Sequence, residues 1–183
     1  TRIRMRARAV DAAPDFAASL NRLVIMGGTA RVAGNITPAA EFNIYVDPEA
    51  AHKVFTSGAK ITVMPLDVTH KALTTASHVQ GFRSMGTEPG RMVAEWTDFF
   101  ERFDKEKYGS AGAPLHDPCT IAYLLRPDLF SGREINVEIE TGSELTRGMT
   151  VADWWRVTDR NANAYFVGDV DAEGFFRLLT ERI

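Results

Sequence analysis

Leu23-Val-Ile-Met-Gly-Gly28 decides how this chain reads. Four apolar residues run without a polar break and stop at two glycines. A strand buried on both faces of a parallel sheet has this pattern. Downstream, a glycine-containing polar loop runs to Ala40. Asp47-Pro48-Glu49 then opens a helix, with Asp as N-cap, Pro in the first helical position and Glu in the first turn. Gly58 stands where that helix should end. Lys60-Ile-Thr-Val-Met64 is the next strand, closed by Pro65. Strand, helix and strand joined by short loops predict an α/β fold with an open, mostly parallel sheet flanked by helices.

Residues 15–21 form a short helical piece upstream. Thr1 to Arg8 places arginines at alternate positions, a strand period, and predicts a frayed or disordered start over residues 1–14. Residues 71–85 read as helix. A second helix starts at Thr87 and runs to about Lys107, with Met92, Val93, Trp96, Phe99, Phe100 and Phe103 as an apolar stripe expected in the core. A flexible connector covers Gly109 to Leu115. Asp117-Pro118 repeats the helix-opening signal, and Glu134 to Glu140 alternates as a half-buried strand. Short strands near 149–152 and 164–167 read as antiparallel. Asp171 caps a last helix with Phe175, Phe176, Leu179 and Ile183 inward.

The 183 residues are 45% hydrophobic and 25% charged, which excludes a disordered or low-complexity chain. No repeat or linker divides them, so a single domain over 1–183 is expected. No apolar run approaches the ~18–20 residues of a membrane span. A net charge of -3 argues against a nucleic-acid partner. The lone Cys119 excludes an internal disulfide and fits a reducing, cytoplasmic setting. It reads as a buried structural thiol.

Phosphate-binding loops, dinucleotide fingerprints, nucleophile elbows and zinc-protease motifs are absent from the sequence. Two polar clusters remain. Gly34-Asn-Ile-Thr-Pro-Ala-Ala-Glu-Phe-Asn43 follows the first strand, where open α/β sheets bind ligands. Asn35, Glu41 and Asn43 offer donors and acceptors suited to vicinal hydroxyls, although the same residue types also cap turns. In Pro114-Leu-His-Asp-Pro118, Asp117 serves a helix start equally well, as Asp47 does. What separates the two sites is His116, beside a helix N-terminus that opposes its protonation and a carboxylate that favours it. Asp67 and His70 follow a strand end and are weaker candidates; His52, His70 and His78 read as solvated.

Taken together, Leu23–Gly28, Gly34–Ile44 with Asp47-Pro-Glu-Ala-Ala51, Pro65-Leu-Asp-Val-Thr69 and Pro114–Pro118 resemble the inosine–uridine-type nucleoside hydrolases. Glu144-Leu-Thr-Arg-Gly148 and Asp169-Val-Asp171 with Phe175-Phe176 resemble the family's C-terminal section. The resemblance implies a Rossmann-like nucleoside hydrolase fold, here incomplete at its N-terminus. It implies a calcium-dependent hydrolase that splits the N-glycosidic bond of ribonucleosides into ribose and a free purine or pyrimidine base. Asp117 resembles a calcium ligand. His116 resembles the leaving-group acid. Met26, Asn35, Glu41, Phe42 and Asn43 resemble the substrate-binding residues, with Phe42 packed under the pocket. The aromatic stripe near Phe99 resembles a helix flanking the base. Family members assemble as homo-oligomers, dimers or tetramers.

The family's Asp-Thr-Asp-Pro-Gly-x-Asp-Asp segment, source of its general base and most calcium ligands, is not found in this chain. One carboxylate does not satisfy an ion that takes ~6–8 oxygens. The hydrolase expectation therefore stands at the family level, and the 183 residues alone are expected to be inactive. The alternative is a non-catalytic remnant acting as a nucleoside- or sugar-binding module or a structural partner. A weaker third reading is a metal-independent hydrolase using His116 and Asp117 as an acid–base pair.

Overall fold

A computed structural model describes residues 2–13, 15–109 and 112–183, excepting the side chains of residues 2, 102–105, 107 and 108. In chain order it runs α1 (Arg2–Ala12), α2 (Phe16–Ser19), β1 (Leu23–Met26), α3 (Phe42–Tyr45), α4 (Pro48–Phe55) and β2 (Ile61–Met64). Next come α5 (Leu66–Thr69), β3 (Leu73–Thr74), α6 (Ala76–Ser84), α7 (Glu88–Tyr108), β4 (Ala113–Pro114) and α8 (Pro118–Leu125). A 3-10 turn at Pro127–Leu129 leads to β5 (Phe130–Ile135), β6 (Val137–Ile139), β7 (Thr150–Ala152), β8 (Ala164–Val170) and α9 (Ala172–Arg182). The chain divides into two compact units: Thr1–Asp67 with Ser131–Gly168, and Val68–Phe130 with Asp169–Ile183.

The first unit carries the main sheet, in the order β1-β2-β8-β5. β1 and β2 pair in parallel, Leu23 opposite Ile61 and Met26 opposite Met64. All four residues of β2 are buried, the polar Thr62 included, whereas in β1, expected to be buried on both faces, only Ile25 is. β8 is parallel to β2, with Ile61 opposite Ala164, which corrects the antiparallel expectation for this strand. The antiparallel expectation holds for β7, which pairs with β6 in a separate ribbon. The strand expected over 134–140 is broken at Asn136, whose buried amide donates to Glu138 and to the Asn161 carbonyl.

The opening segment is also corrected. Residues 2–12 are a helix, not a frayed or strand-like start. Ile3 and Ala7, four apart, are buried in the core with Ala51, Val54 and Phe55 of α4. Arg4 pairs with Asp47 and Lys53 with Asp11 on the rim. The alternating arginines concealed this because their long side chains keep their charge in water from several faces of a helix.

In the second unit, β3 and β4 pair antiparallel, so the helix expected from 71 begins only at Ala76 and the connector before Leu115 holds a short strand. α7 spans the expected residues but buries a different face. Trp96, Phe99 and Phe100 are 58%, 53% and 61% exposed, while Gly90, Ala94 and Thr97 are buried. At Gly90 an added Cβ would strike the Phe82 carbonyl of α6, so small residues win that face by allowing close approach. The side chain of Phe103 lies outside the described residues. On α9, Phe175, Phe176 and Leu178 are buried, with Leu179 and Ile183 only half-buried. His78 is not solvated: its ring stacks on Phe176 at 3.7 Å.

Candidate functional site

The end of β1 is built around one carboxylate. Glu41 is 1% exposed. Its Oε2 accepts from the Gly28 N–H at 3.0 Å and its Oε1 from the Asn43 N–H at 3.0 Å. Glu41 thus caps α3 while reaching back to the end of β1. The glycines permit this approach. A Cβ on Gly27 would sit 3.2 Å from Glu41 Oε2, and one on Gly28 would meet Thr150 Oγ1 at 2.7 Å. Gly28 also holds a φ of +80°, which favours glycine. A charge buried this fully is tolerated only when hydrogen-bonded.

The neighbouring predicted residues gather on the same loop. Asn35 Oδ1 accepts from the Phe42 N–H at 2.8 Å. Asn43 Nδ2 lies 3.2 Å from Met26 Sδ and 3.5 Å from the Met26 carbonyl. Met26, Asn35, Glu41, Phe42 and Asn43 are therefore one constellation in the first unit. The Phe42 ring, expected to pack beneath a pocket, is instead 51% exposed. The arrangement presents one fixed carboxyl group and two amides, a set suited to hydroxyl groups.

Asp67, a weaker candidate, braces the loop that leaves β1. It is buried and accepts from the N–H groups of Ala30 and Arg31 at 2.9 and 2.8 Å. Arg31 Nε approaches it at 3.3 Å, and the Arg31 guanidinium lies 4.4 Å over the Trp154 ring. Asp67 is thus committed to holding the loop.

His116 and Asp117 belong to the second unit. His116 Nδ1 is 2.8 Å from the hydroxyl of Thr69, the last residue of α5. The ring of His70 lies 5.7 Å from that of His116, tilted by 55°. Burial, with His70 adding to it, pushes the His116 pKa down to about 4, against an opposing pull from Asp117. Asp117 precedes α8 with helical backbone angles, is exposed, and makes no capping hydrogen bond. Cys119 is a buried thiol as expected; its Sγ donates to the Leu115 carbonyl at 3.0 Å, and burial pushes its pKa up to about 12. Thr69 was not among the candidate site residues. The signal for it was its place just beyond a buried strand end, in the same short segment as Asp67.

The residues present do not fit a calcium ion by themselves. Among the described residues, no three His, Cys, Asp or Glu side chains group closely enough to hold a metal. Asp117 brings one carboxylate where the ion takes ~6–8 oxygens. Nor, among the described residues, is any helix long and apolar enough to cross a membrane.

The family profile described as inosine-uridine preferring nucleoside hydrolase matches residues 6–177. The pyrimidine-specific ribonucleoside hydrolase RihA of Salmonella gallinarum is 51% identical over 171 residues, covering 93% of this chain and 55% of its own length. Among solved structures, the purine-preferring ribonucleoside hydrolase from Gardnerella vaginalis is 31% identical with a TM-score of 0.87, over 97% of this chain and 56% of that one. A plant nucleoside hydrolase is 30% identical with a TM-score of 0.89, over 97% and 57%. The chain spans little more than half the length of the relatives it matches. The profile covers most of the chain and its parallel sheet agrees with the solved members: the chain belongs to the inosine-uridine preferring nucleoside hydrolase family.

Proposed function

We propose that this chain supplies the sugar-binding and leaving-group side of a ribonucleoside hydrolase, which splits the N-glycosidic bond to give ribose and a free base. The observation that carries the reading is Glu41, a buried carboxylate fixed by the Gly28 and Asn43 N–H groups at the end of a parallel strand. Cleavage of this bond builds positive charge on the ribose ring. A preorganised carboxylate favours that charge without having to reorganise. Asn35 and Asn43 orient the sugar hydroxyls, and Met26 lies against the sugar. Phe42, with its ring exposed, meets the substrate from the same loop. His116 donates a hydrogen bond or proton to the departing base. Asp117 serves as a ligand for calcium, the ion the family resemblance implies. The remaining ion ligands and the base that activates water are not among the described residues. The exposed Ile121, Leu124 and Leu125 of α8 support assembly as a homo-oligomer, and the lone reduced cysteine supports a cytoplasmic setting.

A second reading is favoured by the absence of a three-ligand metal group among the described residues. Under it, the 183 residues bind nucleoside without cleaving it. Ribose release from inosine and uridine, with calcium added and with calcium chelated, separates the two. In a protein that also carries the remaining ion ligands and the water-activating base, the hydrolase reading predicts calcium-dependent release that Glu41→Gln slows by about 10²–10³. Uridine binding seen by NMR with no ribose release supports the second reading. A chain that neither binds nor hydrolyses overturns both.

A further inference from the structure

We propose that Thr69 is a positioning residue for His116: its hydroxyl donates to Nδ1 and so holds the imidazole in the tautomer with its proton on Nε2. The geometry stands alone, and its catalytic consequence rests on the reading of His116 as the group that meets the leaving base. Thr69 is fully buried, and its Oγ1 lies 2.8 Å from His116 Nδ1. Two arrangements share this distance. The hydroxyl donates to a bare Nδ1, or an Nδ1–H donates to the hydroxyl oxygen.

Hydrogen-bond accounting decides between them. Among the described residues, His116 is the one hydrogen-bond partner of the Thr69 hydroxyl. If Nδ1 carried a proton, the hydroxyl hydrogen would be buried without an acceptor, an arrangement folded proteins rarely keep. The same argument disfavours the imidazolium, which also carries a proton on Nδ1. With the hydroxyl as donor, its hydrogen is used and only lone pairs are left over. Threonine is also stiff about χ1, so in a packed interior the hydroxyl stays where the ring needs it. Nε2–H is then the polar group that His116 presents, with the ring orientation set from behind, as the partners of metal-bound histidines set theirs.

The test is ¹⁵N NMR of the His116 ring at neutral pH in the full chain, assigned by its loss in His116→Gln. The proton is expected on Nε2 in the wild type and in Thr69→Ser. In Thr69→Val, Nδ1–H should appear as a substantial population. A wild-type ring protonated on Nδ1 overturns the proposal, as does a folded Thr69→Val chain with an unchanged tautomer. In ribose-release assays of a protein that also carries the remaining ion ligands and the water-activating base, Thr69→Val should lower kcat by about tenfold to a hundredfold while KM holds, and Thr69→Ser should recover most of the loss. A protein so completed that releases no ribose counts against the hydrolase reading, and the tautomer measurement still decides the role of Thr69.

Discussion

Asp47-Pro48 and Asp117-Pro118 are the same dipeptide opening helices of the same length, eight residues each. The fold uses them differently. Asp47 turns its carboxylate onto the Ala50 N–H at 3.0 Å and pairs with Arg4 at 2.6 Å. Its backbone is extended away from helical angles, as an N-cap requires. Asp117 already has helical angles, with φ −61° and ψ −38°, and its side chain caps nothing. One carboxylate caps its helix and the other does not. An Asp-Pro pair is a structural signal only where the side chain turns back, and that depends on one pair of backbone angles.

Carboxylate caps elsewhere extend the comparison into a graded series. Glu41 stands at the top, because its removal leaves the buried Gly28 N–H and the N–H of Asn43 without this partner. Glu41→Ala should cost about 2–5 kcal/mol, measured by urea unfolding. Asp47→Ala should cost about 1 kcal/mol, or a fall of about 2–4 °C in Tm. Its pH dependence has a definite sign. The Arg4 side chain holds the Asp47 carboxyl below its ordinary 3.8. Stability from this pair is therefore present above pH 3.8 and is lost as the pH falls through the lowered value. Asp47→Asn should flatten that part of an acid-unfolding curve. Asp171 caps α9 by accepting from Gly174 at 3.0 Å, and Asp171→Ala should cost about 0.5–1 kcal/mol in the same measurement. Asp117→Ala should change stability by less than about 0.5 kcal/mol.

A smaller effect tests the second unit by a different group. His78 accepts from the Thr75 N–H at 3.1 Å and stacks on Phe176. Burial holds its pKa below the ordinary 6.5, with the Leu73 backbone pulling the other way. The folded state therefore prefers the neutral ring, and stability declines as the pH falls below 6.5. Thermal melts at pH 7.5 and 5.5 should show a drop that His78→Gln reduces. An equal drop in both proteins would remove His78 from the account.

Much of the fold was legible from Leu23–Gly28 and Lys60–Met64, because strands of a parallel sheet leave short apolar-rich runs, although in β1 only Ile25 is fully buried and in β2 all four residues are. The Asp47 cap and the Glu41 loop were legible because turn and cap chemistry is local. Four features were not. α1 was concealed by its alternating arginines, which drew attention from Ile3 and Ala7 four residues apart. On α7 two stripes compete at helical spacing, and the small one at Gly90, Ala94 and Thr97 is chosen by the close approach of α6, a tertiary fact. Thr69 meets His116 across 47 residues, a pairing no local pattern encodes. Division into two compact units was equally invisible, since no composition shift marks the boundary near Asp67.

The account's central claim is that Asp47 serves the fold and Asp117 serves the reaction. The most direct test measures Tm and calcium-dependent ribose release from inosine for Asp47→Asn and Asp117→Asn side by side, in a protein that also carries the remaining ion ligands and the water-activating base. The account predicts a crossed result. Asp47→Asn should melt lower and keep its rate per folded molecule. Asp117→Asn should melt like the wild type and lose ribose release by about 10²-fold or more. An Asp117→Asn protein that melts several degrees lower, or that still releases ribose at the wild-type rate, would contradict it.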